Sequence, residues 1–235
     1  MNEHISSAYD RELENITTLI VRMGGMVEEA IHNAARSLAD RDVELAEQVR
    51  KADKQIDALE VQINEEAART IALRAPVSKD LRAILTVLRL AASLERIGDY
   101  AKNIAKRTSV LVEMSPVNGS DAALRRMARE VEQMMKQTLD AYVRSDAALA
   151  EDVRQRDHEV DQMYNALFRE FLTFMMEDPR NITACMHLHF MAKNIERMGD
   201  LTTNMAEQVI YLVTGEMPDE DRPKGDETAF ITTPV

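Results

Sequence analysis

The residues of this chain best suited to chemistry are acids placed four apart on helical segments. Glu95-Arg96-Ile97-Gly98-Asp99 recurs as Glu196-Arg197-Met198-Gly199-Asp200, an offset of 101 positions. Aligning Ala91–Lys106 with Ala192–Glu207 leaves seven of sixteen residues identical, in the pattern A…ERxGDxxxNxA. A second acidic pair precedes each copy: Asp53 with Asp57, and Asp157 with Asp161. Residues three or four apart share a helix face, so each pair presents two carboxylates on one side. Four carboxylates from two neighbouring helices, with no lysine or histidine on the same line in the first half, make a hard oxygen site. Such a site suits Mg, Ca, Mn or Fe better than a thiolate-seeking metal, although Zn also accepts carboxylate.

Counting places the two pairs opposite each other. Asp57 lies 19 residues before Pro76 and Glu95 lies 19 after it (76 − 57 and 95 − 76). A hairpin pivoting at Pro76 therefore brings them to the same height. The apolar line Leu81–Leu85–Leu88–Ala92 continues into Glu95, Asp99 and Asn103, and Cys185–His189–Ala192 continues into Glu196, Asp200 and Asn204. Acids on a core-facing seam are expensive unless paired, protonated or metal-bound. Glycine inside a helix costs about 1 kcal/mol against alanine. Its presence at both Gly98 and Gly199 points to a neighbour that needs the room.

The plainer readings stand beside this one. A lone ExxxD is usually a solvated pair. Arg96 and Arg197 read as structural partners of nearby acids, and Asn103 and Asn204 as partners of a ligand carboxylate or of a crossing helix. His189 reads as a core histidine rather than a ligand, and His4, His32, His158 and His187 as surface residues. Met134, Met135, Met163, Met175, Met176, Met186, Met191 and Met198 read as core filler.

The elements that must position these groups are helices. Gly and Pro are scarce (7 and 6), helix formers dominate, and no sustained alternation of apolar and polar residues appears, so the fold class is all-α. The first helix is expected from about Tyr9–Asp10 to Ala39, with Gly24-Gly25 allowing a bend or a close contact. Asp42 caps the second helix, the Ala75-Pro76 step ends it, and Ser78 caps the third, which reaches about Val112. Helices four, five and six follow at 121–143, 147–176 and 181–214. At ~1.5 Å per residue the longest would span roughly 45–50 Å. The domain reading is a first three-helix bundle over 1–115, a linker at 116–120, a second bundle over 121–215, and a disordered tail at 216–235.

A net charge of −12 argues against a nucleic-acid or anionic-membrane surface as the main partner. Cys185 is the single cysteine, so no internal disulfide forms and a reducing compartment is expected. With no apolar run long enough for a membrane helix, the expectation is a cytoplasmic protein that reaches the inner membrane only through partners.

On these motifs the chain resembles the PhoU family, the phosphate-transport accessory proteins and phosphate-regulon regulators of bacteria. The likeness spans roughly residues 5–215, with both ERxGDxxxNxA blocks and both facing DxxxD pairs. It implies two tandem pseudo-symmetric bundles of long antiparallel helices. It implies metal sites at Asp53, Asp57, Glu95 and Asp99, and at Asp157, Asp161, Glu196 and Asp200, holding iron, zinc or manganese in multinuclear clusters. It implies a non-catalytic, homodimeric negative regulator of the phosphate-starvation response. Its partners would be the ATPase subunit of the phosphate ABC transporter and a sensor histidine kinase. Two other readings are a metal-dependent phosphohydrolase and an accessory protein of a low-affinity phosphate permease. A ferritin-like di-iron enzyme would need Glu-x-x-His, and glycine stands three after each motif glutamate.

Overall fold

A computed structural model describes residues 2–218, with side chains from Tyr9 onward. Six long helices follow one another: α1 (Asn2–Ala39), α2 (Val43–Arg74), α3 (Ser78–Leu111), α4 (Ser120–Arg144), α5 (Ala147–Glu177) and α6 (Ile182–Thr214). A short 3-10 turn, Pro179–Asn181, joins α5 to α6. α1 begins at Asn2, ahead of the Tyr9–Asp10 start expected, because nothing in that stretch breaks a helix. Most of the tail expected to be disordered, residues 219–235, lies outside the described residues.

Local chemistry sets most of the ends. Asp42 caps α2, accepting from the Leu45 backbone N–H at 2.9 Å. Asp146 caps α5, accepting from Ala148 and Leu149, both at 3.0 Å. Each cap satisfies donors that the first turn leaves unpaired. Gly215 ends α6 in a left-handed conformation at φ +89°, where glycine carries no steric penalty. Ser78 does not cap α3: its own backbone is left-handed at φ +50°, the capping position is Val77, and no side chain closes that end. The α2–α3 corner is a tight reversal through Ala75 (φ 46°) and Pro76, and the extended residue that starts α3 is Val77 (φ −128°).

The two three-helix units are joined through their cores. α1 packs on α4 and α3 packs on α6, while α2 covers α1 and α3 and α5 covers α4 and α6. A single apolar cluster runs through all six helices, from Ile20, Met23 and Val27 of α1 to Met198, Met205 and Val209 of α6. The connection between α3 and α4 belongs to it: Val117 is buried, and Ser120 donates its hydroxyl to the Val117 carbonyl at 2.8 Å. Two of the methionines expected in the core are not there. Met176 and Met186 are exposed at the α5–α6 corner, whereas Met134, Met135, Met191 and Met198 are buried.

Gly24 and Gly98 show what close packing asks of the backbone. A Cβ at Gly24 would stand 2.4 Å from Leu139 Cδ1, on the helix facing α1 across the join. One at Gly98 would stand 3.1 Å from Ile56 Cδ1 of α2, and one at Gly199 3.2 Å from Val160 Cγ1 of α5. Both motif glycines therefore make room for a branched side chain on the neighbouring helix, at the height of the acids.

Candidate carboxylate grooves

The line of residues expected to run down the core of α3 runs along its margin instead. Leu85 is 43% exposed, and Ala92 and Asn103 are also exposed. The buried line of α3 is Ile84, Val87, Leu90, Ala91, Leu94, Ile97 and Ala101. α3 touches α1, α2 and α6 at once, so its buried arc is wide and centred one step away from the stripe that spacing suggests. Glu95 and Asp99 consequently sit half-buried at the groove between α2 and α3.

Within that groove the first four acids come within electrostatic reach of one another. Asp53 is buried from α2, and Lys102 of α3 donates to Asp53 Oδ2 at 2.5 Å and to Asp99 Oδ1 at 2.8 Å. The other oxygen, Asp53 Oδ1, is buried without a hydrogen-bond partner. Burial pushes the Asp57 carboxyl above its usual range, with the charge of Asp53 adding to the effect and Lys102 opposing it. Burial likewise pushes Glu95 up, assisted by Asp99, Glu60, Asp57 and Asp53. The charges of Asp53 and Asp99, on the two helices, bear on both. Lys102 is itself raised by its hydrogen bonds to Asp53 and Asp99. An ammonium thus stands in a groove whose acid-bearing line of residues includes no cation. The signal for it was present: lysine three residues after Asp99 shares that residue's helix face.

In the second half Asp157, Asp161 and Glu196 are all buried, and Asp200 is half-buried. Thr203 donates to Asp157 Oδ1 at 3.0 Å. Lys193 lies one turn before the motif and donates to Glu196 Oε1 at 2.8 Å, with its Nζ 4.8 Å from the centre of the Tyr164 ring. His189 packs against Tyr164, Phe168 and Phe190 in an aromatic cluster. Arg96 and Arg197 are exposed and form no ion pair among the described residues, contrary to the partnering expected of them. Asn103 and Asn204 are also exposed. His32 and His158 lie on the surface as expected, His4 falls outside the described side chains, and His187 is half-buried against Arg107.

The donor set fits a hard or borderline divalent cation: it is all oxygen, three members are buried in the second half, and one buried oxygen in the first is orphaned. As the side chains stand, no three acidic, histidine or cysteine groups among the described residues are close enough to hold an ion. A cavity of about 480 Å³ that none of the eight acids lines lies at the join of the halves, bordered by Leu38, Arg41, Leu111, Val117, Asp121 and Leu188 among others. Among the described residues no helix is long and apolar enough to cross a membrane.

Fold and grooves together define an all-α tandem-repeat protein with two carboxylate-lined grooves. The chain belongs to the PhoU family: the PhoU domain matches residues 20–108 and again 124–209. It is 45% identical over 226 residues to the phosphate-specific transport system accessory protein PhoU homolog of Caulobacter vibrioides (strain NA1000 / CB15N), covering 96% of this chain and 98% of that one. The Rhizobium meliloti (strain 1021) homolog of the same name is 45% identical over 228 residues, covering 97% and 96%. The crystal structure of PhoU from Pseudomonas aeruginosa superposes with a TM-score of 0.86 at 40% identity, over 88% of this chain and all (100%) of that one. The phosphate transport system regulatory protein PhoU of Streptococcus pneumoniae gives 0.83 at 30% identity, over 90% and 99%.

Proposed function

We propose that this chain is a regulatory accessory of phosphate transport that works by binding rather than by catalysis. The observation that carries this reading is near-full-length identity to proteins named for that role, 45% over 96% of the chain. In the finer form, it is a homodimeric cytoplasmic adaptor between the ATPase subunit of the phosphate ABC transporter and a sensor histidine kinase, and it represses the phosphate-starvation response when phosphate is plentiful. The test is deletion of the gene in its host, followed by assay of a phosphate-starvation reporter in phosphate-rich medium. Derepression that the intact gene reverses is expected. A reporter that stays silent in the deletion strain would overturn the regulatory reading. Phosphomonoester hydrolysis that Glu95→Gln abolishes would favour the phosphohydrolase instead.

The eight acids are proposed as metal ligands within this scaffold: Asp53, Asp57, Glu95 and Asp99 in one groove, and Asp157, Asp161, Glu196 and Asp200 in the other. A bound iron, zinc or manganese ion would supply positive charge and lock two helices of a bundle together, which suits a scaffold whose surface is read by partners. Elemental analysis of the purified chain is expected to find more than one transition-metal equivalent, lost in the Asp99→Asn/Asp200→Asn variant. Metal-free protein whose stability that variant leaves unchanged would reduce the acids to surface charge.

A further inference from the structure

A lysine reaches the acids of each groove, and the two lysines come from different places in the repeat. Lys102 sits three residues after the motif aspartate; the same position in the second half, 101 residues on, is Thr203. Lys193 sits three residues before the motif glutamate; the same position in the first half is Ala92. Local sequence has diverged at both positions, yet in each half an ammonium reaches the groove's acids. Lys102 bridges Asp53 of α2 and Asp99 of α3 at 2.5 and 2.8 Å. Lys193 lies 2.8 Å from Glu196, whose side chain is only 6% exposed. Both lysines are held at one end by a flexible four-carbon stem and are partly open to solvent, at 39% and 27%. Either can therefore swing outward without disturbing the core.

We propose that Lys102 and Lys193 are tethered counter-ions: each offsets part of its groove's negative charge in the ion-free protein and must leave for a divalent cation to enter. A buried carboxylate such as Asp53 is costly without an opposite charge, and one oxygen of that carboxylate has no hydrogen-bond partner even with the lysine in place. The ammonium stabilises the acids while competing for the oxygens a metal would use. The lysines thereby set the cation concentration at which each groove loads, and loading turns an inward ammonium out to the surface. This rests on the metal-ligand reading of the grooves.

The experiment uses the full chain, stripped with chelator and titrated with Mn²⁺ alone, following free Mn²⁺ by its paramagnetic resonance. Each variant borrows the residue of the other repeat: Lys102→Thr and Lys193→Ala. Lys102→Arg keeps the charge as a control. Removing one positive charge in contact with the ligands should tighten Mn²⁺ binding roughly ten- to a hundredfold for that groove, while Lys102→Arg stays close to the unsubstituted chain. Without metal, Lys102→Thr and Lys193→Ala should melt at lower temperature, and saturating Mn²⁺ should restore them. If Mn²⁺ binds the unsubstituted chain and both variants alike, the counter-ion inference fails and the metal sites stand. If no form binds Mn²⁺ at millimolar concentration, the metal reading fails, and competition with it. Metal-free variants that melt with the unsubstituted chain would overturn the counter-ion role in either case.

Discussion

Gly24 of α1 and Leu139 of α4 meet at the join between the halves, where a Cβ on Gly24 would stand 2.4 Å from Leu139 Cδ1. Gly25, one residue on, faces open space. The adjacent glycines should therefore respond in opposite ways. Gly25→Ala recovers helix propensity with nothing to collide with, and should stabilise the chain by about 1 kcal/mol. Gly24→Val must displace Leu139 and should destabilise it by about 1–3 kcal/mol. Urea unfolding of the two variants checks both signs.

Arg41 holds the end of α3 from the α1–α2 turn. Its Nη2 donates to the carbonyls of Val112 and Met114, at and just past the end of α3, at 2.5 and 2.9 Å. Arg41 also has a left-handed backbone, φ +52°. Arg41→Ala keeps the strained conformation and loses the cap, at a cost of about 1–2 kcal/mol. Arg41→Gly loses the same cap but relaxes the backbone, so it should be the milder of the two. Ala as stable as Gly in chemical denaturation would count against the cap and strain acting together.

His187 accepts from Arg107 Nη1 at 3.2 Å through Nδ1. Burial, with the Arg107 charge assisting, holds its pKa below the ordinary imidazole range. The folded chain then binds this proton less readily than the unfolded chain, so the site's contribution to stability is full above the unfolded pKa and declines as pH falls through it. Arg107→Gln should raise the His187 midpoint, read from its ring Cε1–H resonance in an NMR titration. An unmoved midpoint would leave burial as the sole cause.

Asp57 and Glu95 behave in the opposite sense. Their carboxyls are raised, so the folded chain binds those protons more readily, and metal-free stability should increase as pH falls from the raised values toward the unfolded carboxylate range near 4. Glu95→Gln removes one of the repelling charges. The metal-free variant should melt above the unsubstituted chain at pH 7, with a smaller gain on acidification. Thermal melts between pH 5 and 8 decide it.

Much of this arrangement follows from the chain's local order. The proline steps at Pro76 and Pro179, the aspartate caps at Asp42 and Asp146, and the doubled ERxGD motif are short-range features, and short-range features mark helix ends and repeats. Counting from Pro76 was enough to bring the Asp53–Asp57 pair opposite Glu95–Asp99, because a straight helix converts residue number into height. Counting says nothing of the angle at which a helix faces its neighbours. The line through Leu85 and Ala92 proved marginal because α3 is packed by three helices at once, and Met176 and Met186 came out exposed because a corner, not a stripe, surrounds them.

What the sequence determined by itself is the six-helix repeat and the pairing of acids across α2–α3, since both depend on spacing along single helices. What only the tertiary structure decided is that the two bundles share one core through α1–α4 and α3–α6, and that Lys102 and Lys193 lie in the grooves. Burial is settled by all neighbours together, and a lysine's long flexible stem lets its charge land where the surrounding carboxylates draw it.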